Sequence, residues 1–306
     1  MHVPPRITRQ DFQAGGLKPG SYSYEDLSAA LIDHLSRTED EYTPIQLEGL
    51  QTYKYNGSWN LGNPENIEDL RKFYDIFNAV IFNGVLPSSS HKLHWYERTH
   101  KQGTEGAYCE FNQPGEELDT RFKIEQPFSR IWMKPAQYCQ QTDRISWYLN
   151  VLAHEMLHSL FAIYACRCSF ACSEKHRAAL HDWLGHCASW QAAAYAIEQA
   201  IEYNPRKKGR LLNLKLFSDR EGDLMFAIQN GCNIPPDTEL RRLGLDIKEI
   251  RNGLKEHGAT EAKAYRFWKS KQQLVAASCC LRDWWDADRD PVVVPWTDMY
   301  PTRTDR

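Results

Sequence analysis

Apolar residues recur every three or four positions at Ile145, Leu149, Leu152, Met156, Leu160 and Ile163, and this helical period predicts one long helix from Asp143, as N-cap, to Ala165. The same period marks Ile67, Leu70, Phe73, Phe77, Val80 and Ile81, in a helix opened by Asn63-Pro64 and ended by Gly84. It marks Trp190, Ala193, Ala194, Ile197, Ala200 and Ile201 too, in a segment opened by Gly185-His186 that places His186 in its first turn. Upstream, Tyr24 to Ser36 carries Leu27, Ala30, Leu31 and Leu35 on one side, between the breakers Gly15-Gly16, Pro19-Gly20 and a heterogeneous stretch. Between Leu93 and Met133 the pattern shortens to about three strands, interrupted by Gln113 to Gln126, which contains Pro114-Gly115 and reads as a loop or hairpin arm. Beyond residue 205, Thr238 to Glu256 and Thr260 to Ala277 read as helices, and the last thirty residues, with Trp284-Trp285 and Trp296, as an irregular wrap. The sum is an α+β protein in three sections: an N-terminal extension (1–62), a core domain (63–204) and a mostly helical C-terminal region (205–306).

Composition narrows the setting. A chain of 306 residues with 42% hydrophobic and 25% charged positions can bury a full core. No apolar run approaches the ~20 residues a bilayer span requires, and Met1-His2-Val3-Pro4-Pro5 begins no signal peptide, so the sequence predicts no membrane association. Nine cysteines without a regular framework read as reduced thiols of an intracellular protein. Charge is uneven: residues 206–306 hold 19 Lys+Arg against 15 Asp+Glu, while the rest holds 18 against 25. The cluster Arg206-Lys207-Lys208-Gly209-Arg210 reads as a linker that fits a nuclear localisation signal. Lys263, Arg266, Trp268, Lys269 and Lys271 mix basic and aromatic groups as single-strand binders do, which allows DNA as a partner, the alternative being an ordinary solvated helix face.

The chemistry sits on the longest helix, in His154-Glu155-Met156-Leu157-His158. Residues four apart on a helix share a face, so His154 and His158 can chelate one Zn²⁺ ion. Glu155 follows the first histidine, where it can reach a water on the metal's open position and serve as general base in peptide hydrolysis. Two imidazoles and a carboxylate buried together without an ion would cost several kcal/mol, which disfavours a merely structural role. A third ligand must come from elsewhere: His186 is the best placed, followed by His181, then His176 and Glu174. Cys166, Cys168, Cys172 and His176 lie within eleven residues and offer a second, structural zinc site; reduced, unliganded thiols are the alternative.

Several segments resemble one family. Lys72 to Pro87, with Phe77-Asn78 and Phe82-Asn83-Gly84-Val85-Leu86-Pro87, is similar to the opening helix of SprT-like domains, and Leu93-His94-Trp95 to the strand that follows. Gly106 to Cys109 and Ser129 to Met133 resemble the family's central strands, Leu152 to His158 its zinc helix, and Gly185-His186 with Trp190 the segment that supplies its third histidine. The resemblance covers roughly residues 64 to 204, with two departures: a longer interval between His158 and His186, holding the three cysteines, and Cys187 where the family has a second glycine. It implies a Spartan-type zinc metalloprotease with His154, His158 and His186 as ligands, Glu155 as base, and proteins bound or crosslinked to DNA as substrates. The strand at Ser129 to Met133, taken as a sheet edge beside the zinc helix, would hold an extended protein substrate by backbone pairing. The alternative is a zinc-stabilised DNA- or protein-binding module without catalysis.

Overall fold

The computed structural model describes residues 4–87, 93–95, 107–112, 128–135, 141–201, 211–217, 220–229 and 232–256. Among them the fold is α+β, built around one central helix. In chain order the elements are α1 (Tyr24–Leu35), α2 (Pro44–Asn56), α3 (Ile67–Val80), β1 (Leu93–Trp95), β2 (Ala107–Asn112), β3 (Phe128–Met133), α4 (Gln141–Tyr164), α5 (Phe170–His181), a 3₁₀ turn (Asp182–Gly185), α6 (Ala188–Ile201), α7 (Arg220–Gln229), α8 (Asp237–Arg242) and α9 (Ile247–Glu256). No described helix is long and apolar enough to cross a membrane.

Helix α4 is central because it is apolar on more than one side. Leu152, Met156 and Leu160 are fully buried, and so are Ala153 and Leu157, which face other neighbours. One side packs on a three-stranded sheet of order β1-β3-β2. There β1 runs parallel to β3, with Leu93 opposite Ile131, and β2 antiparallel to it, with Cys109 opposite Ile131. Ile131 and Met133, two residues apart, are buried on the face toward α4, as the strand period requires. Cys109 joins them, its Sγ 3.3 Å from the Ser159 Oγ of α4. The strand expected to form a sheet edge, β3, is thus the middle one of the described strands.

The N-terminal residues complete the same core. Phe12, Leu27 and Leu31 are buried in one cluster with Leu70, Leu152 and Trp190. Helix α1 lies along α6, and Tyr22 forms a parallel bridge with Ala165, beyond the end of α4. A second cluster gathers Leu224, Ile228, Leu240, Leu243, Ile250 and Leu254 of the C-terminal helices around Trp183 of the 3₁₀ turn. Arg220, 2% exposed, ties the two bodies of packing together, with Nη2 donating to the Glu198 carboxylate of α6 at 2.6 Å and Nη1 to the Leu243 carbonyl at 2.9 Å.

Several element boundaries differ from those the pattern predicts. Asn66, not Asn63, caps α3, its side chain accepting from the Glu68 amide at 3.1 Å. Helix α4 begins at Gln141, so Asp143 lies inside it. The helix expected over Thr238 to Glu256 is two, α8 and α9, divided at Gly244 with φ +68°. Helices α2, α5 and α7 have no counterpart in the predicted elements. Gln113 to Gln126, the basic cluster 206–210, Thr260 to Ala277 and the tryptophan-rich end lie outside the described residues.

Candidate metal centre

Helix α4 presents His154 and His158 one turn apart, and their Nε2 atoms stand 3.2 Å from each other. The Nε2 of His186 lies 3.0 Å from that of His154 and 3.3 Å from that of His158. A tetrahedral ion bonded to nitrogen at 2.0–2.1 Å spaces its ligand atoms by about 3.3 Å, so the three imidazoles fit one ion and leave a fourth position open. The chemistry of the donor set agrees: three neutral nitrogens suit zinc and its neighbours among the divalent first-row metals.

His186 reaches this point from a turn, not from the first turn of α6 as the pattern predicts. Trp183 (φ 47°), Leu184 (φ 56°) and Gly185 (φ 90°) are three successive left-handed residues between α5 and α6. Two are not glycine, and such a conformation costs roughly 1–2 kcal/mol for each L-residue. Burial of the Trp183 ring, 7% exposed, in the second core offsets the strain. The turn in turn fixes the ligand: the Trp183 carbonyl accepts from both the backbone N–H and the Nδ1–H of His186, each at 3.2 Å. With its proton held on Nδ1, His186 directs a bare Nε2 lone pair at the other two histidines.

Near His154 stands a residue that the sequence pattern does not single out. The Nδ1 of His154 lies 3.7 Å from the Asp223 carboxylate of α7, both side chains about one-fifth exposed. Beneath the three imidazoles lies the fully buried indole of Trp190, with ring centroids 4.8, 5.3 and 4.5 Å from His154, His158 and His186. Phe217 closes the floor at 5.7 Å from Trp190, and its backbone N–H donates to the Asn150 side chain of α4. Burial pushes His154 and His158 well below the usual imidazole range and His186 down to about 4, aided for the first two by their mutual crowding. At neutral pH all three are therefore uncharged, the protonation state a metal ligand needs.

The remaining candidates fall elsewhere. Glu155 is buried, 7% exposed, on the same turn of α4 as His154. Glu174 is ion-paired with Arg177 along α5 at 2.6 Å. His181 is the last residue of α5, and its side chain lies outside the described residues. Cys166, Cys168 and Cys172 do come together, all three Sγ atoms within 4.8 Å of one another. His176, expected as their fourth ligand, does not join them. It turns Nδ1 to the Tyr24 hydroxyl at 3.3 Å, and burial lowers it to about 3.

Asp223, Trp183 and Phe217 are the residues that sequence reasoning missed. Asp223 and Phe217 carry no local motif, since they act on the site only through tertiary contact, and Trp183 acts through a left-handed turn three residues before His186 that no motif signals. Comparison of the chain with protein-family models, with curated proteins and with solved structures found no match.

Proposed function

We propose that this protein is a zinc-dependent metallopeptidase of the SprT-like type, acting on protein substrates associated with DNA. The observation that carries the proposal is the convergence of the His154, His158 and His186 Nε2 atoms to 3.0–3.3 Å, with Glu155 adjacent to the first ligand. The order of elements from α3 through the three strands to α4 and α6 also follows the order that the sequence resemblance implies. His154, His158 and His186 would hold the ion, which when bound supplies Lewis acidity toward a water and the scissile carbonyl.

The chain's own groups do the rest. Glu155 accepts the proton of the attacking water at its carboxylate and returns it to the departing amine nitrogen. The Trp183 carbonyl holds Nδ1 of His186, so that Nε2 faces the other two histidines, and the Asp223 carboxylate adds negative charge near Nδ1 of His154. Trp190 and Phe217 exclude water from below, which strengthens the electrostatics of the site above them. With β3 in the middle of the described strands, an extended substrate would pair with the outer edge of β1 or β2 instead. The surplus of basic residues in 206–306 supports contact with nucleic acid, and the Arg206 to Arg210 cluster a nuclear location.

The test compares wild type with Glu155→Gln in cleavage of a casein-type substrate, each with and without single-stranded DNA. The variant should keep its zinc and lose roughly 10²–10⁴-fold of the activity; equal activity would refute the mechanism and leave a zinc-stabilised binding module. Wild-type activity should rise with DNA. A DNA-independent rate would remove the substrate assignment alone.

A further inference from the structure

A second cluster of potential ligands lies at the crossover from α4 to α5, remote in chemistry from the histidines. The Cys166 and Cys168 sulfurs are 3.1 Å apart and those of Cys168 and Cys172 3.9 Å. Each outer cysteine is fixed by backbone. The Cys166 N–H donates to the Tyr22 carbonyl at 2.8 Å, next to the Tyr22–Ala165 bridge. Cys172 sits in the first turn of α5, its N–H capped by Ser169 Oγ at 3.3 Å. Cys166 and Cys172 are buried, and Cys168 between them is exposed.

We propose that Cys166, Cys168 and Cys172 form a three-thiolate site for a soft d¹⁰ cation, zinc or copper(I), whose remaining coordination position faces solvent beside Cys168. Thiolate ligands select these ions over harder cations. Sulfurs bonded to a tetrahedral ion at ~2.3 Å stand about 3.8 Å apart, close to the 3.9 Å between Cys168 and Cys172, and the 3.1 Å pair would open to accept the ion. His176 stands outside the donor set: the ligand atoms that come within 4.8 Å of one another are the three sulfurs alone, and its Nδ1 turns to the buried Tyr24 hydroxyl. A disulfide between Cys166 and Cys168 would use two of the sulfurs and give no reason for the third to converge, whereas an ion uses all three.

Binding is a proton exchange with no change of oxidation state: three S–H protons pass to solvent as three metal–sulfur bonds form. The amide dipoles of the first turn of α5 favour negative charge at Cys172 once an ion is present. The ion would pin the start of α5 to the end of α4, and α5 leads directly into the turn that carries His186.

The experiment uses the full chain, purified under reducing conditions and loaded anaerobically with Zn²⁺, Cu⁺ or, as spectroscopic probe, Co²⁺. Metal per chain and thiolate-to-cobalt charge-transfer absorption are measured in wild type, Cys168→Ser, His176→Gln and His186→Ala, with folding checked by circular dichroism. Cys168 is exposed, so its serine variant should fold, lose one metal per chain and lose the charge-transfer band. His176→Gln should keep both, and His186→Ala should lose metal while keeping the band, which separates this site from the histidine centre. Competition with chelators selective for each ion decides between zinc and copper(I). An unchanged band in Cys168→Ser, a mass deficit matching a disulfide in the reduced preparation, or loss of the band in His176→Gln would each overturn the three-thiolate assignment.

Discussion

Replacing Asp223 by Asn should weaken zinc binding about tenfold while leaving the fold intact. Outer carboxylates on liganding histidines typically contribute 10–100-fold to metal affinity. Two features place Asp223 at the low end of that range. Its Oδ2 stands 3.7 Å from His154 Nδ1, beyond the 2.7–2.9 Å of a charge-assisted hydrogen bond, so the interaction is electrostatic more than directional. Both side chains are about one-fifth exposed, and solvent screens part of the attraction. A tenfold loss corresponds to about 1.4 kcal/mol. Since charge and not hydrogen-bond shape is what disappears, Asp223→Ala should match Asp223→Asn. Titration against a competing zinc chelator at fixed pH reads the dissociation constants directly. Affinity within twofold of wild type in both variants would show that α7 does not tune the centre, and an Ala loss far greater than the Asn loss would show that a hydrogen bond, not a charge, is at work.

Gly185→Ala should destabilise the protein by about 1 kcal/mol and weaken metal binding in parallel, because φ +90° is strained for alanine although an added Cβ would meet nothing closer than 3.7 Å. Gly244→Ala should cost more in urea denaturation despite its distance from the metal, since its Cβ would fall 2.3 Å from the Tyr195 ring. His34 supplies a pH dependence: burial, with the nearby Arg37 charge, lowers it to about 4 from an unfolded value of 6.5, against the opposing bond to the Val80 carbonyl and the Asp33 charge. The unfolded chain therefore binds the proton first, and stability falls as pH drops through 6.5, levelling near 4. His34 alone should remove about 2 kcal/mol between pH 7 and pH 5, and denaturation of His34→Gln at both values should show a correspondingly shallower loss.

What the sequence revealed of the site is what local spacing encodes. His154 and His158 are one turn apart on a helix whose apolar period is unmistakable, so their juxtaposition follows from helical geometry alone. His186 was legible through its neighbours Gly185 and Trp190, yet it lies before α6 and not in its first turn. The three left-handed residues that aim it include Trp183 and Leu184, which no propensity assigns to that conformation. Asp223 was illegible because α7 carries its apolar residues without a strong period and reaches the site only through folding of the C-terminal region, and Phe217 because it stands in the irregular stretch before α7, with φ 60°. Helix α2 escaped for a related reason: it is mostly polar, with Gln46 and Gly49 its only fully buried members, and its signal is confined to the Thr43 cap and Pro44. The sections drawn at residues 62 and 204 follow composition, whereas the buried clusters run across both positions.

The turn at Asp182–Gly185 belongs to two bodies of packing at once, since Trp183 is buried among α7, α8 and α9 while Cys187 and Trp190 are buried with α4. His154 and His158 are thus carried by the larger body, and His186 sits on the seam between the two. An ion bonded to all three would act as a rivet across that seam. Attachment of the C-terminal helices and retention of the metal then become linked equilibria, each strengthening the other by the same factor. Whatever loosens α7 to α9 would draw on the metal's affinity, so these helices would tune the centre although, among the described residues, they bring no ligand to it.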